Sequence, residues 1–331
     1  MSAPALEIPV VDVSAARAGD DDAISWVGAE IAAALETVGF FYLVGHGTDW
    51  SLVDEARTQG FRFFNSSPEL KHAVAAQRLD DAGYRQVGEL AYPEEGAPPS
   101  RNEAWAMYPE GSSKNRWPEL PDFREALTLY EAATLQVLSS LLVPMARPLG
   151  IPDDYFTSRF GAPTRGLVLR YYPVCEYEPN QWGLGAHADQ GFLTLLPDNV
   201  VPGLSVRTGP DTWIDAPSVP ESFLVNSGSM LRRWTNDRFL STEHRVLNTS
   251  GVERIAMPVF FAPSPGTEIA PLPSCVSDAN PARYEPFVYD IRAADEQETA
   301  EGIRAVTRPR AHVNYEASGE HTPDAIPVSQ R

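Results

Sequence analysis

A mainly β fold with flanking helices, built around a jelly-roll (double-stranded β-helix) core, is predicted for this chain by two patterns and one constellation. From about Gly166 onward, short apolar runs recur at intervals of roughly ten residues, at 167–172, 192–196, 204–207, 223–226, 244–246 and 255–261. Gly, Pro and Asn separate them, which is the rhythm of strands in a sandwich or barrel. Before Gly166 the apolar period is helical. The constellation is His187-Ala188-Asp189 inside an apolar run, with His244 lying 55 residues beyond the Asp.

The N-terminal elements follow from the same rules. Asp22 is read as the cap of a helix whose Ile24, Val27, Ile31, Leu35 and Val38 keep the 3.6 period, with Gly39 just past its end. That helix feeds a strand at 40–44, and a second helix is expected over 52–64. Residues 79–117, rich in Gly, Pro and Glu, read as an irregular lid and substrate loop. Asp122 opens a helical region to about Gly150, with Pro144 and Pro148 expected to kink its last turns. The chain thus divides into an N-terminal α/β region (1–120), a supporting helix region (121–165), the jelly-roll core (166–290) and a C-terminal tail or helix (291–331).

Composition narrows the function. A net charge of −19 opposes nucleic acid as a partner, because phosphate binding needs a concentrated basic surface. Apolar runs such as 141–143 are too short to cross a bilayer, and the N-terminus has no basic segment followed by an apolar core, so a cytoplasmic protein, monomeric or weakly homo-oligomeric, is expected. Cys175 and Cys275 are too few for a disulfide framework and read as free thiols. Lys71 and Lys114 are the only lysines against two dozen arginines, a bias that resembles a GC-rich bacterial genome.

The constellation carries the chemistry. On a strand, residues two apart share a face, so His187 and Asp189 can reach one ion while Ala188 turns away. His244 would complete a two-imidazole, one-carboxylate face, the ligand set of non-haem Fe(II) oxygenases, with the opposite positions open to O2 and cosubstrate. An isolated His-x-Asp is more often a surface pair, so context must decide. Arg254, in an apolar stretch ten residues after His244, requires an anionic partner, either an internal acid or a bound organic acid. His46 reads as a hydrogen-bonded core residue, His72 as solvated, and His312 and His321 as tail residues without ligand spacing.

Arg170-Tyr171-Tyr172-Pro173, His187-Ala188-Asp189, Gly203-Leu204-Ser205-Val206, Val225-Asn226-Ser227-Gly228 and His244-Arg245-Val246 stand in the order and spacing of a known set. With Ile8-Pro9-Val10-Val11-Asp12 and Gly39 through Gly47, they make the sequence resemble the iron- and 2-oxoglutarate-dependent dioxygenases of the isopenicillin N synthase-like group, over about residues 6–290. The resemblance implies Fe(II) held by His187, Asp189 and His244, with 2-oxoglutarate and O2 as cosubstrates. It implies that Arg254 and Tyr172 meet the distal carboxylate of 2-oxoglutarate. It further implies hydrogen abstraction from a C–H bond of a small molecule, ending in hydroxylation, desaturation or ring closure, in a setting such as bacterial secondary metabolism or antibiotic biosynthesis.

Two departures stand out. Ala256 occupies the place of a Ser that normally also bonds the distal carboxylate, and Arg170 stands where many relatives carry Asn. An extra cation there could hold the near end of 2-oxoglutarate, a substrate carboxylate, or an acid on the outer face. Arg85, Arg101 and Tyr108, with Tyr84, Trp105, Met107 and Phe192, are expected to wall the substrate pocket. A 2-oxoglutarate-independent oxidase like isopenicillin N synthase, and a non-catalytic binding jelly roll, are the competing readings.

Overall fold

The computed structural model describes residues 7–77, 81–89 and 98–290. Strand β1 (Val10–Asp12) lies parallel to β2 (Phe40–Val44), with helices α1 (Ser14–Arg17) and α2 (Asp21–Thr37) between them. The cap of α2 is Asp20, which accepts from Ala23 N at 3.1 Å, two residues earlier than expected. Asp21 and Asp22 instead fill the first turn, where the positive end of the helix dipole favours them. Val27, Ile31 and Leu35 are buried, so the periodic face is the packed face.

Helix α3 (Trp50–Phe64) follows, capped by Asp49, and then α4 (Pro68–Ala73). The 79–117 segment departs from expectation. It contains β3 (Gly83–Arg85) and β4 (Glu103–Met107), an antiparallel pair, while the rest of its described part is irregular, as expected. The parts of the expected lid and substrate loop at 79–80 and 90–97 lie outside the described residues.

Helix α5 (Phe123–Ser140) ends four residues before Pro144, whose ring would meet the Ser140 carbonyl and whose nitrogen has no proton to donate to it. The chain resumes as α6 (Leu142–Ala146), a 3-10 turn at Arg147–Leu149, and α7 (Asp154–Thr157). The expected kinks are therefore full breaks. The run Phe123–Leu149 is long and apolar enough to cross a membrane by composition, unlike the short runs read from sequence. Half of its most apolar window is nevertheless buried inside the protein, and Phe123, Leu127 and Tyr130 belong to the core, as in a packed core helix.

The jelly roll then unfolds in order: β5 (Thr164–Tyr172), β6 (Leu184–His187), β7 (Leu193–Pro197), β8 (Leu204–Arg207), β9 (Trp213–Asp215), β10 (Phe223–Ser227), helix α8 (Ser229–Trp234), β11 (His244–Val246), β12 (Arg254–Ala256) and β13 (Val259–Ala262). A large sheet runs β1-β2-β10-β7-β13-β5-β4-β3, with β12 also paired to β5. A smaller sheet runs β6-β11-β8-β9. Phe40, Tyr172, Leu184, Val206, Leu224 and Val246 form one buried cluster shared by the two sheets. On its other face the large sheet packs against α2, α3 and α5.

The sequence run 255–261 is split because Pro258 cannot join a ladder. The Met257 carbonyl freed there accepts from the fully buried Tyr130 hydroxyl at 2.7 Å, which pins α5 to the break. Glu131 on the same helix pairs with Arg165 of β5.

His46 is structural. Its Nε2–H donates to Glu221 O at 2.9 Å, its Nδ1 accepts from Thr48 N at 3.1 Å, and its ring packs on Phe223. Burial pushes its pKa below the usual imidazole value, so the unfolded chain takes up the proton first as pH falls. This contribution is present above about pH 6.5 and lost below it. His46→Ala should cost about 2–4 kcal/mol in denaturant titrations, lose that part of the pH dependence, and leave Fe(II) affinity unchanged.

Candidate metal centre and cosubstrate pocket

His187 closes β6 and pairs directly across the ladder with His244 of β11, which brings their ring centroids to 4.3 Å. Asp189 does not share the strand with His187. It lies in the connection to β7, so strand alternation is not what aims it. Its carbonyl accepts from Ser229 N at 2.8 Å, tying that turn to the start of α8. The result is that Asp189 Oδ1 sits 3.9 Å from Nε2 of each histidine, with one donor atom from each of the three within 4.8 Å of the others.

The outer partners orient every donor. Asp189 Oδ2 accepts from Thr194 Oγ1 at 2.5 Å and Asn226 Nδ2 at 2.8 Å, which leaves Oδ1 for an ion. His187 Nδ1 donates to Gly185 O at 2.9 Å and thereby presents the Nε2 lone pair. Burial, reinforced by the neighbouring His244, pushes the His187 pKa down to about 3, so no proton has to leave at neutral pH. Burial works in the opposite sense on Asp189, but the two imidazoles and the Asn226 and Thr194 donors outweigh it and hold the carboxyl below its usual range. A neutral histidine and an ionised carboxylate, both buried beside His244, suit a divalent cation, and the donor set fits iron.

Neither Thr194 nor Asn226 stands out in the sequence, although Asn226 belongs to the Val-Asn-Ser-Gly segment. Asn226→Ala should weaken Fe(II) binding about 10–100-fold while the protein stays folded, as judged by anaerobic titration beside circular dichroism. The last residue of that segment is glycine for a separate reason. A Cβ on Gly228 would lie 2.1 Å from the Gly191 carbonyl oxygen, so the β7 and β10 connections could not approach.

The second half of the site is built on β5 and β12. Their register sets Arg254 opposite Tyr172 and Ala256 opposite Arg170, so all four face the interior together. Arg254 is 2% exposed; its Nε donates to Val201 O at 3.2 Å, its guanidinium lies 5.0 Å from the Tyr172 ring centroid, and its Nη1 has no hydrogen-bond partner. Desolvation lowers the Arg254 pKa and raises that of Tyr172, each partly offset by the other. A buried fork with an unused donor fits the distal carboxylate of 2-oxoglutarate. Gly203 opens this corner: a Cβ there would lie 2.7 Å from the Leu247 carbonyl oxygen and 3.8 Å from Arg254 Cδ.

Tyr177 joins this corner without any periodic signal to mark it in its loop. A Cβ on Gly183 would meet both Tyr172 Cδ1, at 2.9 Å, and the Tyr177 hydroxyl, at 3.2 Å, so the two tyrosines converge there.

The expected pocket wall is redistributed. Phe192 is fully buried, with ring centroids 5.1 Å from Phe156 and 4.9 Å from Phe160, so it belongs to the aromatic core and lines no pocket. Tyr84, Trp105 and Met107 lie in the same core, because they occupy the helix-facing side of β3 and β4. Arg85 points the other way, onto the face of Arg170, and its Nη2 donates to Asp81 O at 3.0 Å. Arg101 bonds Gln181 through Nε at 3.2 Å. Tyr108 follows the end of β4 and is half-buried, with its backbone held by Asn115.

Residues 163–263 match the 2OG-Fe(II) oxygenase superfamily, and residues 8–122 match the family described as non-haem dioxygenase in morphine synthesis N-terminal. The chain is 33% identical to validamycin A dioxygenase of Streptomyces hygroscopicus subsp. limoneus, over 80% of this chain and 79% of that protein. It is 31% identical to jasmonate-induced oxygenase 3 of Arabidopsis thaliana, over 86% and 79%. The solved structure of JOX2 in complex with 2OG, Fe and JA superposes with a TM-score of 0.74 at 30% identity, covering 86% of this chain and 83% of that one. Family matches in both halves of the chain, and relatives of this identity along four-fifths of it, accord with a buried cation-ready triad, and the chain belongs to the iron- and 2-oxoglutarate-dependent dioxygenases.

Proposed function

We propose that this enzyme oxidises a C–H bond of a small molecule in bacterial secondary metabolism, with hydroxylation, desaturation or ring closure as the outcome. The single observation that carries cosubstrate use is Arg254, a fully buried guanidinium with an unpaired Nη1 on the interior face. The bacterial setting draws support from the likeness to a Streptomyces dioxygenase named for validamycin A and from the arginine-for-lysine bias.

When bound, iron supplies the activation of O2, coupled to conversion of 2-oxoglutarate into succinate and CO2. The protein supplies placement. His187, Asp189 and His244 offer their donors from one side, which leaves the other side for the cosubstrates. Arg254 anchors the far end of 2-oxoglutarate, with Tyr172 beside it. The iron end of the cavity is marked by the rung Asn226–Thr194–Phe260–Gly166, because Asn226 and Thr194 hold Asp189. Along that end Phe260, Gly166, Val168 and Tyr108 are only half-buried, and they offer a partly apolar entrance for substrate. Such a wall orients the reacting bond and keeps out water.

Succinate formed per O2 consumed tests the reading. One succinate per O2, dependent on a small-molecule substrate, is expected; O2 uptake without succinate would replace this reading with a 2-oxoglutarate-independent oxidase.

A further inference from the structure

Arg170 is a second buried guanidinium, and the cosubstrate anchor at Arg254 does not account for it. It is 7% exposed, and among the described residues no carboxylate lies within 4 Å of it. Its one described hydrogen bond runs from Nη1 to Asn102 Oδ1 at 3.3 Å. Asn102 is itself buried and donates through Nδ2 to Gly183 O at 2.6 Å, so it bridges the β4 side of the large sheet to the start of the small one. Both ends of that amide are engaged, which holds the guanidinium in one orientation rather than neutralising it. A cation buried to this degree requires an anion.

The register says where the anion would sit. Arg170 shares a rung with Ala256 on one side and with Ala104, then Arg85, on the other. Tyr172 and Arg254 occupy the rung at the closed end, and Val168, opposite Ala106, occupies the next rung toward the iron end. The interior face beyond Arg170 therefore carries two alanines, Ala104 and Ala106, the smallest side chains that this floor could have short of glycine. Arg85 closes the far side of that rung, where its Nη2 donates to the Asp81 carbonyl.

We propose that Arg170, positioned by Asn102, is the substrate-selecting residue of this oxygenase and binds a carboxylate of the substrate over the Ala104–Ala106 floor. This rests on the proposed oxygenase reading and adds the substrate class: small organic acids rather than their neutral derivatives. The planar fork of arginine fits a carboxylate with two parallel hydrogen bonds, which a Lys would not reproduce.

The test is calorimetry on the enzyme loaded anaerobically with Fe(II) and 2-oxoglutarate, using phenylacetate, 3-phenylpropionate and decanoate, each beside its methyl ester. At least one acid should bind the parent tenfold or more tighter than its ester. Arg170→Gln should weaken that acid about 30-fold or more and move the ester less than threefold; Arg170→Lys should recover only part of the loss. 2-Oxoglutarate affinity, read from the charge-transfer absorbance, should change less than threefold in both variants. Esters binding as well as acids, or no acid binding, would overturn the proposal, as would an Arg170→Gln variant that loses 2-oxoglutarate instead. Absence of the charge-transfer band in the parent would overturn 2-oxoglutarate binding at Arg254, an outcome distinct from failure of the acid to bind. Unchanged thermal melting of the variants shows that a lost acid is not a lost fold.

Discussion

His187→Ala and Asp189→Ala should each give a folded protein that no longer holds stoichiometric Fe(II) and has no measurable turnover. Three donors meet at this centre, and each is aimed by its own partner, so removing one leaves two ligands for an ion that needs a fixed face. The loss should exceed the roughly 10–100-fold expected when an outer partner such as Asn226 is removed. The metal-free fold should tolerate His187→Ala in particular. Burial keeps its imidazole neutral, so its removal takes no charge from the site, and Asp189 keeps the Thr194 and Asn226 donors. Anaerobic equilibrium dialysis against Fe(II), beside thermal melting without metal, separates the two effects. Near-normal turnover in His187→Ala would place the metal elsewhere.

The fold was legible where a short segment carries its own pattern. Short apolar runs with Gly, Pro and Asn punctuation located the strands Leu204–Arg207, Phe223–Ser227 and His244–Val246, and the helical pattern of apolar residues located α2, α3 and α5. What escaped was decided at long range. Gly83–Arg85 has three residues and becomes a strand only because β4 lies beside it, while β4 is defined by its pairing with β5. Their Gly-, Pro- and Glu-rich surroundings read as loop. Faces were harder still than elements. Phe192 sits beside the iron-binding strand in sequence, yet packs with Phe156 and Phe160 on the opposite side of the sheet, and one step along a strand is enough for that reversal.

The site divides along the same line. His187, Asp189 and His244 are conspicuous because their residue types are rare in apolar runs. Thr194, Asn226 and Asn102 are ordinary polar residues whose importance lies in partners 5, 37 and 68 positions away. A strand face shared with His187 does not account for Asp189 either. Its geometry depends on a turn tied to Ser229, which no spacing rule within His-Ala-Asp contains.

Arg254→Leu should abolish tight 2-oxoglutarate binding without destabilising the metal-free protein. In the absence of cosubstrate the guanidinium is fully buried with Nη1 unpaired, so its desolvation is already a cost, and a leucine of similar bulk removes that cost. The native interactions that the leucine gives up are the hydrogen bond from Nε to Val201 O and the contact with the Tyr172 ring, each worth about 1–2 kcal/mol and set against the relieved desolvation, so melting should shift little. Binding behaves oppositely. Without the fork, a 2-oxoglutarate carboxylate would be buried with no countercharge, and the expected penalty of about 3–5 kcal/mol is roughly 200-fold or more in Kd. Ala256→Ser probes the same pocket from the adjacent rung, across from Arg170. A hydroxyl there would supply the donor that the alanine lacks and should tighten 2-oxoglutarate by up to about tenfold, or 1.4 kcal/mol. Titrating the Fe(II)–2-oxoglutarate charge-transfer absorbance under nitrogen gives both constants. If Arg254→Leu bound 2-oxoglutarate as the parent does, the anchor would have to lie elsewhere. A collapse of its metal-free melting temperature would mean instead that Arg254 has a native partner within the fold, and the unpaired Nη1 would lose its meaning.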